Sequence, residues 1–294
     1  MIEFVSGISV VCFAASYAVA LVCEASRLMF RSGVRGAVMI AFAGAGLVAH
    51  TLFLGWRAAH EQAVPLSSAF DWYLLAAWLL AGGYLWITLA NPRTPVGLFM
   101  LPVVLGLIGA AQLSSRIPFP QTPATQVWGA IHGSFNLAAS VAVASGGLAG
   151  LLWLIQAGRL ARKRPPLNSF RLPSLERLAQ VTDRTLPIAA STAAAGFLSG
   201  IVLNAVNRQA GLLETVPWTD PVVLRMGGLV AWLVAAAVAA RMGGRRADGP
   251  RTAAWLSVAS FVVLTGSILW GLAAPTRHGV PPTRPADASS EAAP

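Results

Sequence analysis

The sequence predicts an all-α, polytopic membrane protein of about eight transmembrane helices. Three observations lead there. Of 294 residues, 56% are hydrophobic and 11% charged, whereas a soluble globular domain carries about a quarter charged residues. Mean hydropathy is positive. The apolar residues gather in runs of bilayer-spanning length, about 20 residues each, and no polar stretch between them is long enough to form a separate soluble domain.

The first run, about 4–26, holds Cys12 and Cys23, which show no CxxC spacing and suggest neither a disulfide nor a metal site. It lacks a basic n-region and a small-residue cleavage site, so a retained helix is expected rather than a signal peptide. The second run, about 37–56, contains His50, and the third covers about 68–90. The fourth, about 95–113, is short and contains Pro102, which a membrane helix tolerates when neighbours satisfy the freed carbonyl. The fifth, about 128–157, is long enough for its ends to project from a bilayer. The sixth, seventh and eighth cover about 186–207, 221–240 and 253–274. Between the fifth and sixth, Leu172–Arg184 places Leu175, Leu178 and Val181 at helical spacing beside Arg171, Arg177 and Arg184. This segment is expected to lie on the cytoplasmic leaflet against anionic lipid. Residues 1–278 thus form one membrane domain, and the Pro/Ala/Ser-rich tail 279–294 is expected to be disordered. No internal repeat is visible.

The net charge of +10 invites a nucleic-acid reading, but the charges are placed as topology signals. The loops after the first, third, fifth and seventh runs hold Arg27, Arg31, Arg35, Arg93, a cluster from Arg159 to Arg184, and Arg241, Arg245, Arg246 and Arg251. The opposite side holds only Arg57, Arg116, Arg208, Arg277 and Arg284, while Arg225 lies just inside the seventh run. The positive-inside rule therefore puts both termini outside and makes the odd-numbered connections cytoplasmic. No nucleic-acid partner is expected; membrane lipid is.

Three of the four histidines then share the outer side: His60, His132 at the start of the fifth run ("QVWGAIHGSFN"), and His278 about one turn beyond the eighth ("PTRHG"). The loop "GLLETVPWTDPVVLR", with Trp218 and Asp220, lies on the same side. Neutral imidazole is a good ligand for haem iron. Two histidines on separate helices can clamp a planar haem, a Trp can stack on it, and arginines can pair with its propionates. The plainer readings are also open. Trp is enriched at membrane interfaces in any case, and Asp220-Pro221 is an ordinary helix start, Asp as cap and Pro in the first turn. His50 sits within a span, where an ionisable group faces the bundle interior and is functional by default.

The order of landmarks from about residue 47 to 279 resembles the cytochrome c assembly protein family, the CcmC/CcmF/CcsA membrane group. They are "GLVAHTLFLGW", "SSAFDWYLLAAWLL", "GLFMLPVVL", "WGAIHGSFNLAASVAVASGGLAGLLWLIQAGRLARKR", "LPSLERLAQVTDRTLPIAASTAAAGFLSGIVLNAV" and "PWTDPVVLRMGGLVAWLVAAA", followed by a His after the last span. The resemblance implies a haem b bound non-covalently at the outer face, with His132 and His278 as axial ligands of its iron and Trp218 with Asp220 as the remnant of the family's Trp-rich loop. It implies that His50 is the intramembrane histidine serving haem passage. It further implies a bacterial inner-membrane location, a second CcsB/ResB-like assembly subunit and apocytochrome c as partners, and a role in cytochrome c maturation. The chain departs from the family at two places. Only "WTDP" stands where the family has several tryptophans, and Ala240 stands near the place of a second intramembrane His. There is no C-x-x-C-H for covalent haem and no nucleophile, so any enzymatic role belongs to a haem-attachment complex. A small-molecule permease, or a scaffold without haem, is the alternative on the same helices.

Overall fold

The computed structural model describes residues 9–26, 33–60, 68–91, 94–119, 125–163, 173–209, 216–243 and 248–273. His278 and the tail 279–294 lie outside the described residues, as does the side chain of His60. Every regular element described is helical: α1 (Val10–Ser26), α2 (Gly33–His60), α3 (Ala69–Ala90), α4 (Gly97–Leu113), α5 (Ala130–Ala161), α6 (Leu175–Gln209), α7 (Pro221–Gly243) and α8 (Gly249–Ala273), with a π-helical turn at Thr125–Gly129 leading into α5. The eight fall on the eight apolar runs. Six, namely α2, α3, α5 with its preceding turn, α6, α7 and α8, are long and apolar enough to cross a membrane. The apolar helices α1 and α4 have 17 residues each, about 25 Å of helix.

The helices close into two rings of four. In the first, α1 packs on α2 and α4, and α3 packs on the same two helices. In the second, α5 packs on α6 and α8, and α7 packs on the same two. The rings join where α3 meets α5 and α4 meets α8. The first core is built of large side chains, with Phe13, Tyr17, Leu74, Tyr84, Leu101 and Val104 all buried. The second is built largely of small ones, Ala139, Ala142, Ala189, Ala193 and Ala236 around Leu233. Small residues let helix backbones approach, which is how helices associate where lipid is as apolar as the side chains. One such close approach is α5 on α8. A Cβ on Gly150 would stand 2.6 Å from the carbonyl oxygen of Ala254, and one on Gly147 would collide with Phe261.

The segment expected to lie on the cytoplasmic leaflet is instead the first part of α6, which runs unbroken through Pro187. The reason is a single buried stripe, Leu178, Thr182, Leu186, Ala189 and Ala193, whose helical period crosses the proline without a shift. Leu178 packs with Ala149 and Leu152 of α5 rather than facing lipid headgroups. The proline inside α4, Pro102, likewise leaves that helix continuous.

Contacts between helix ends define one common face of the bundle. Arg57 near the end of α2 donates from Nε to Asp71 at the start of α3 at 2.8 Å. The Phe70 amide donates to the Ser115 carbonyl just past α4. Ser68 caps α3 through a capping box with Asp71, so this carboxylate is satisfied by the helix start and by Arg57 together. At the opposite face Arg35 of α2 donates to the Ser26 carbonyl of α1.

Candidate functional site

His132 stands near the start of α5, at the same bundle face as the Arg57–Asp71 pair; the neighbouring Gly133 lies directly against the indole of Trp72 of α3. The imidazole is half-buried between α5 and α6. Its Nδ1 is 2.7 Å from the carbonyl oxygen of Gly196. A carbonyl only accepts, so Nδ1 carries the proton of the neutral ring and Nε2 keeps the lone pair. The ring lies over Gly200, where a Cβ would come within 2.8 Å of both Cε1 and Nδ1. Asn136, one turn along, donates to the His132 carbonyl at 2.8 Å and places its amide nitrogen 3.3 Å from Nε2. Gly200 therefore makes room for the ring, Gly196 makes room for Asn136, and the Gly196 carbonyl fixes the tautomer. With Nδ1 so engaged, Nε2 is the accepting nitrogen of the ring, and the Asn136 amide faces it.

The Trp218 loop is fastened to the same helix. Asn204 of α6 donates from its amide to the Val216 carbonyl at 2.9 Å and accepts from the Val216 amide at 3.0 Å. Asn204 lies one turn beyond Gly200, about 6 Å along the helix axis, so the loop is held close to the His132 slot. Trp218 is 57% exposed, an indole with free faces at the bundle end. Asp220 is buried, and its Oδ1 accepts from the Val222 amide at 2.8 Å. It thus caps α7 ahead of Pro221, the ordinary helix start that the sequence allowed, and it fixes the direction in which the Trp218 loop leaves the helix.

His50 lies elsewhere, in the core of the first ring. It is fully buried, stacked face to face on Phe13 with centroids 4.1 Å apart, and its Nδ1 is 3.5 Å from the Tyr17 hydroxyl. Its Nε2 is buried and makes no hydrogen bond among the described residues. The structure thus brings His132, Trp218 and Asp220 to one end of the second ring, and places His50 among α1 side chains in the first.

Sequence reading missed Asn204 and Asn136. Asn204 was legible as an amide one turn after "SG", but its partner is a backbone group twelve residues on, and no periodicity announces that. Gly133, Gly196 and Gly200 were visible as small residues, while what each one faces was not. Among the described residues no three His, Cys, Asp or Glu side chains gather as a metal cluster. An axially ligated macrocycle makes no such demand, since one or two imidazoles suffice. No protein-family model matches the chain, and no curated protein matches it.

Proposed function

We propose that the chain is an eight-span protein of a bacterial inner membrane, with both termini outside, that binds haem b on its outer face and presents it for cytochrome c maturation. In this reading α1 and α4 span as well. The observation that carries it is the His132 slot: an imidazole held through Nδ1 by the Gly196 carbonyl, its Nε2 unprotonated, beside a loop that offers the exposed face of Trp218. The order of landmarks in the sequence supports the same reading.

His132 would ligate the iron from one side and His278 from the other. The iron porphyrin supplies the vinyl groups that a cytochrome's thiols add to. This chain's residues orient and shelter it. Gly196 holds the His132 tautomer, Gly200 leaves room for the ring, Trp218 covers an apolar face, and Asp220 and Asn204 hold the Trp218 loop in place. His50 is the intramembrane station, its Nε2 buried without a hydrogen bond among the described residues and Phe13 occupying one face. The thioether chemistry needs a CcsB/ResB-like membrane subunit and a reduced apocytochrome c as partners.

The test is a haem titration of the purified full chain in mild detergent, followed by absorbance. The wild type is expected to bind one haem with a low-spin spectrum, and His132→Ala to bind at least tenfold more weakly. Equal binding by the two proteins would defeat the proposal.

A further inference from the structure

Arg225 is a guanidinium one turn into α7, within a helix long and apolar enough to cross a membrane. Its Nε is buried and has no hydrogen-bond partner among the described residues, and no hydrogen bond described there involves either terminal nitrogen. The group lies flat on Gly271 of α8, where a Cβ would stand 2.8 Å from Cζ and collide with a terminal nitrogen. Tyr73 of α3 and Asp220 are near enough to act on it electrostatically. Asp220 accepts from the Val222 amide through Oδ1. A guanidinium whose Nε is buried without a partner between α7 and α8 is costly unless something accepts from it. Arginine's fork matches the paired oxygens of a phosphate. Beside this contact, Leu224 and Trp270 are 63% and 64% exposed, so apolar surface flanks the cation on both α7 and α8.

We propose that Arg225, with Tyr73, forms a phosphate-binding site between α3, α7 and α8 at the His132 end of the bundle, taking the headgroup phosphate of an anionic phospholipid whose chains lie along Leu224 and Trp270. Gly271 is the cradle: any side chain there displaces the guanidinium. The site does not rest on the haem reading and survives its failure.

The test uses the full chain, stripped of lipid in non-ionic detergent. Thermal unfolding is followed with added phosphatidylglycerol, with phosphatidylcholine, and with inorganic phosphate against chloride at equal ionic strength. Phosphatidylglycerol is expected to raise the midpoint by at least about 3 °C over phosphatidylcholine, and Arg225→Gln to abolish that difference. A rise with inorganic phosphate as well means the site takes the free oxyanion; a rise with lipid alone means the chains contribute. Both support the site. No rise with either in the wild type, or an undiminished rise in Arg225→Gln, overturns it. Should Arg225→Gln fail to fold, Tyr73→Phe decides. Its retained phosphatidylglycerol, counted by native mass spectrometry, is expected to fall severalfold, and retention equal to the wild type overturns the proposal.

Discussion

Gly150→Ala adds one methyl group at the tightest contact between α5 and α8. The new carbon would stand 2.6 Å from the carbonyl oxygen of Ala254 and 3.3 Å from its Cα and carbonyl carbon. These are backbone atoms of a packed helix, so no rotamer change relieves the clash and the two helices must part. Overpacking of this kind costs about 1–3 kcal/mol, and the gain of a glycine-to-alanine change inside a helix, about 1 kcal/mol, offsets part of it. The net expectation is a loss of about 0–2 kcal/mol. In a chain of this size that lowers the unfolding midpoint by up to about 6 °C. Gly158→Ala on the same helix is the control, since nothing lies within 4 Å of its would-be Cβ; its midpoint should stay level or rise. The assay is thermal unfolding of the purified chain in detergent. A Gly150→Ala protein as stable as Gly158→Ala would refute the claim that glycine-mediated approach of α5 to α8 closes the second ring.

Four further outcomes follow from the contacts described above. Asn204→Ala removes both hydrogen bonds to Val216, a loss of about 2 kcal/mol, and limited proteolysis should cut the chain near Trp218 faster than in the wild type. Arg57→Ala leaves the Asp71 carboxylate with Ser68 alone and should cost about 3 kcal/mol. Arg116→Ala removes an exposed guanidinium that donates to Gln112 at 2.8 Å and lies 4.8 Å from the Phe70 ring centroid, and should cost less than about 1 kcal/mol in the same melts. Gly200→Ala pushes the His132 ring off its slot; haem affinity, read by titration, should fall about tenfold or more while the fold, read by circular dichroism, stays intact.

The eight helices were legible because each one falls on an apolar run, six of them long and apolar enough to cross a membrane, and hydropathy reads that directly. Asp220 as the cap of α7 was legible too, since Asp before Pro is a local signal with a local consequence. The start of α6 was misplaced because Pro187 and the neighbouring arginines look like a boundary, whereas the buried stripe from Leu178 to Ala193 binds both sides of the proline to α5. The capping box at Ser68 and Asp71 sat in plain view as S-x-x-D before an apolar run. The two-ring arrangement was not legible, and no repeat in the residues hints at it. Which helix meets which is decided by what fills the contact: large aromatics in the first ring, alanines and glycines in the second. In the same way His132 could be assigned a bundle end from charge bias, but its slot depends on Gly196 and Gly200 lying opposite, sixty-odd residues further along the chain.

The most direct measurement of the central claim is the absorption spectrum of the full chain as purified from a haem-replete bacterial membrane, beside that of a His132→Ala/His278→Ala variant of equal stability. A Soret band with the sharp visible bands of low-spin, bis-imidazole iron in the wild type, absent from the variant, is the result predicted. A well-folded wild type without a Soret band, or a band that survives loss of both histidines, would contradict it.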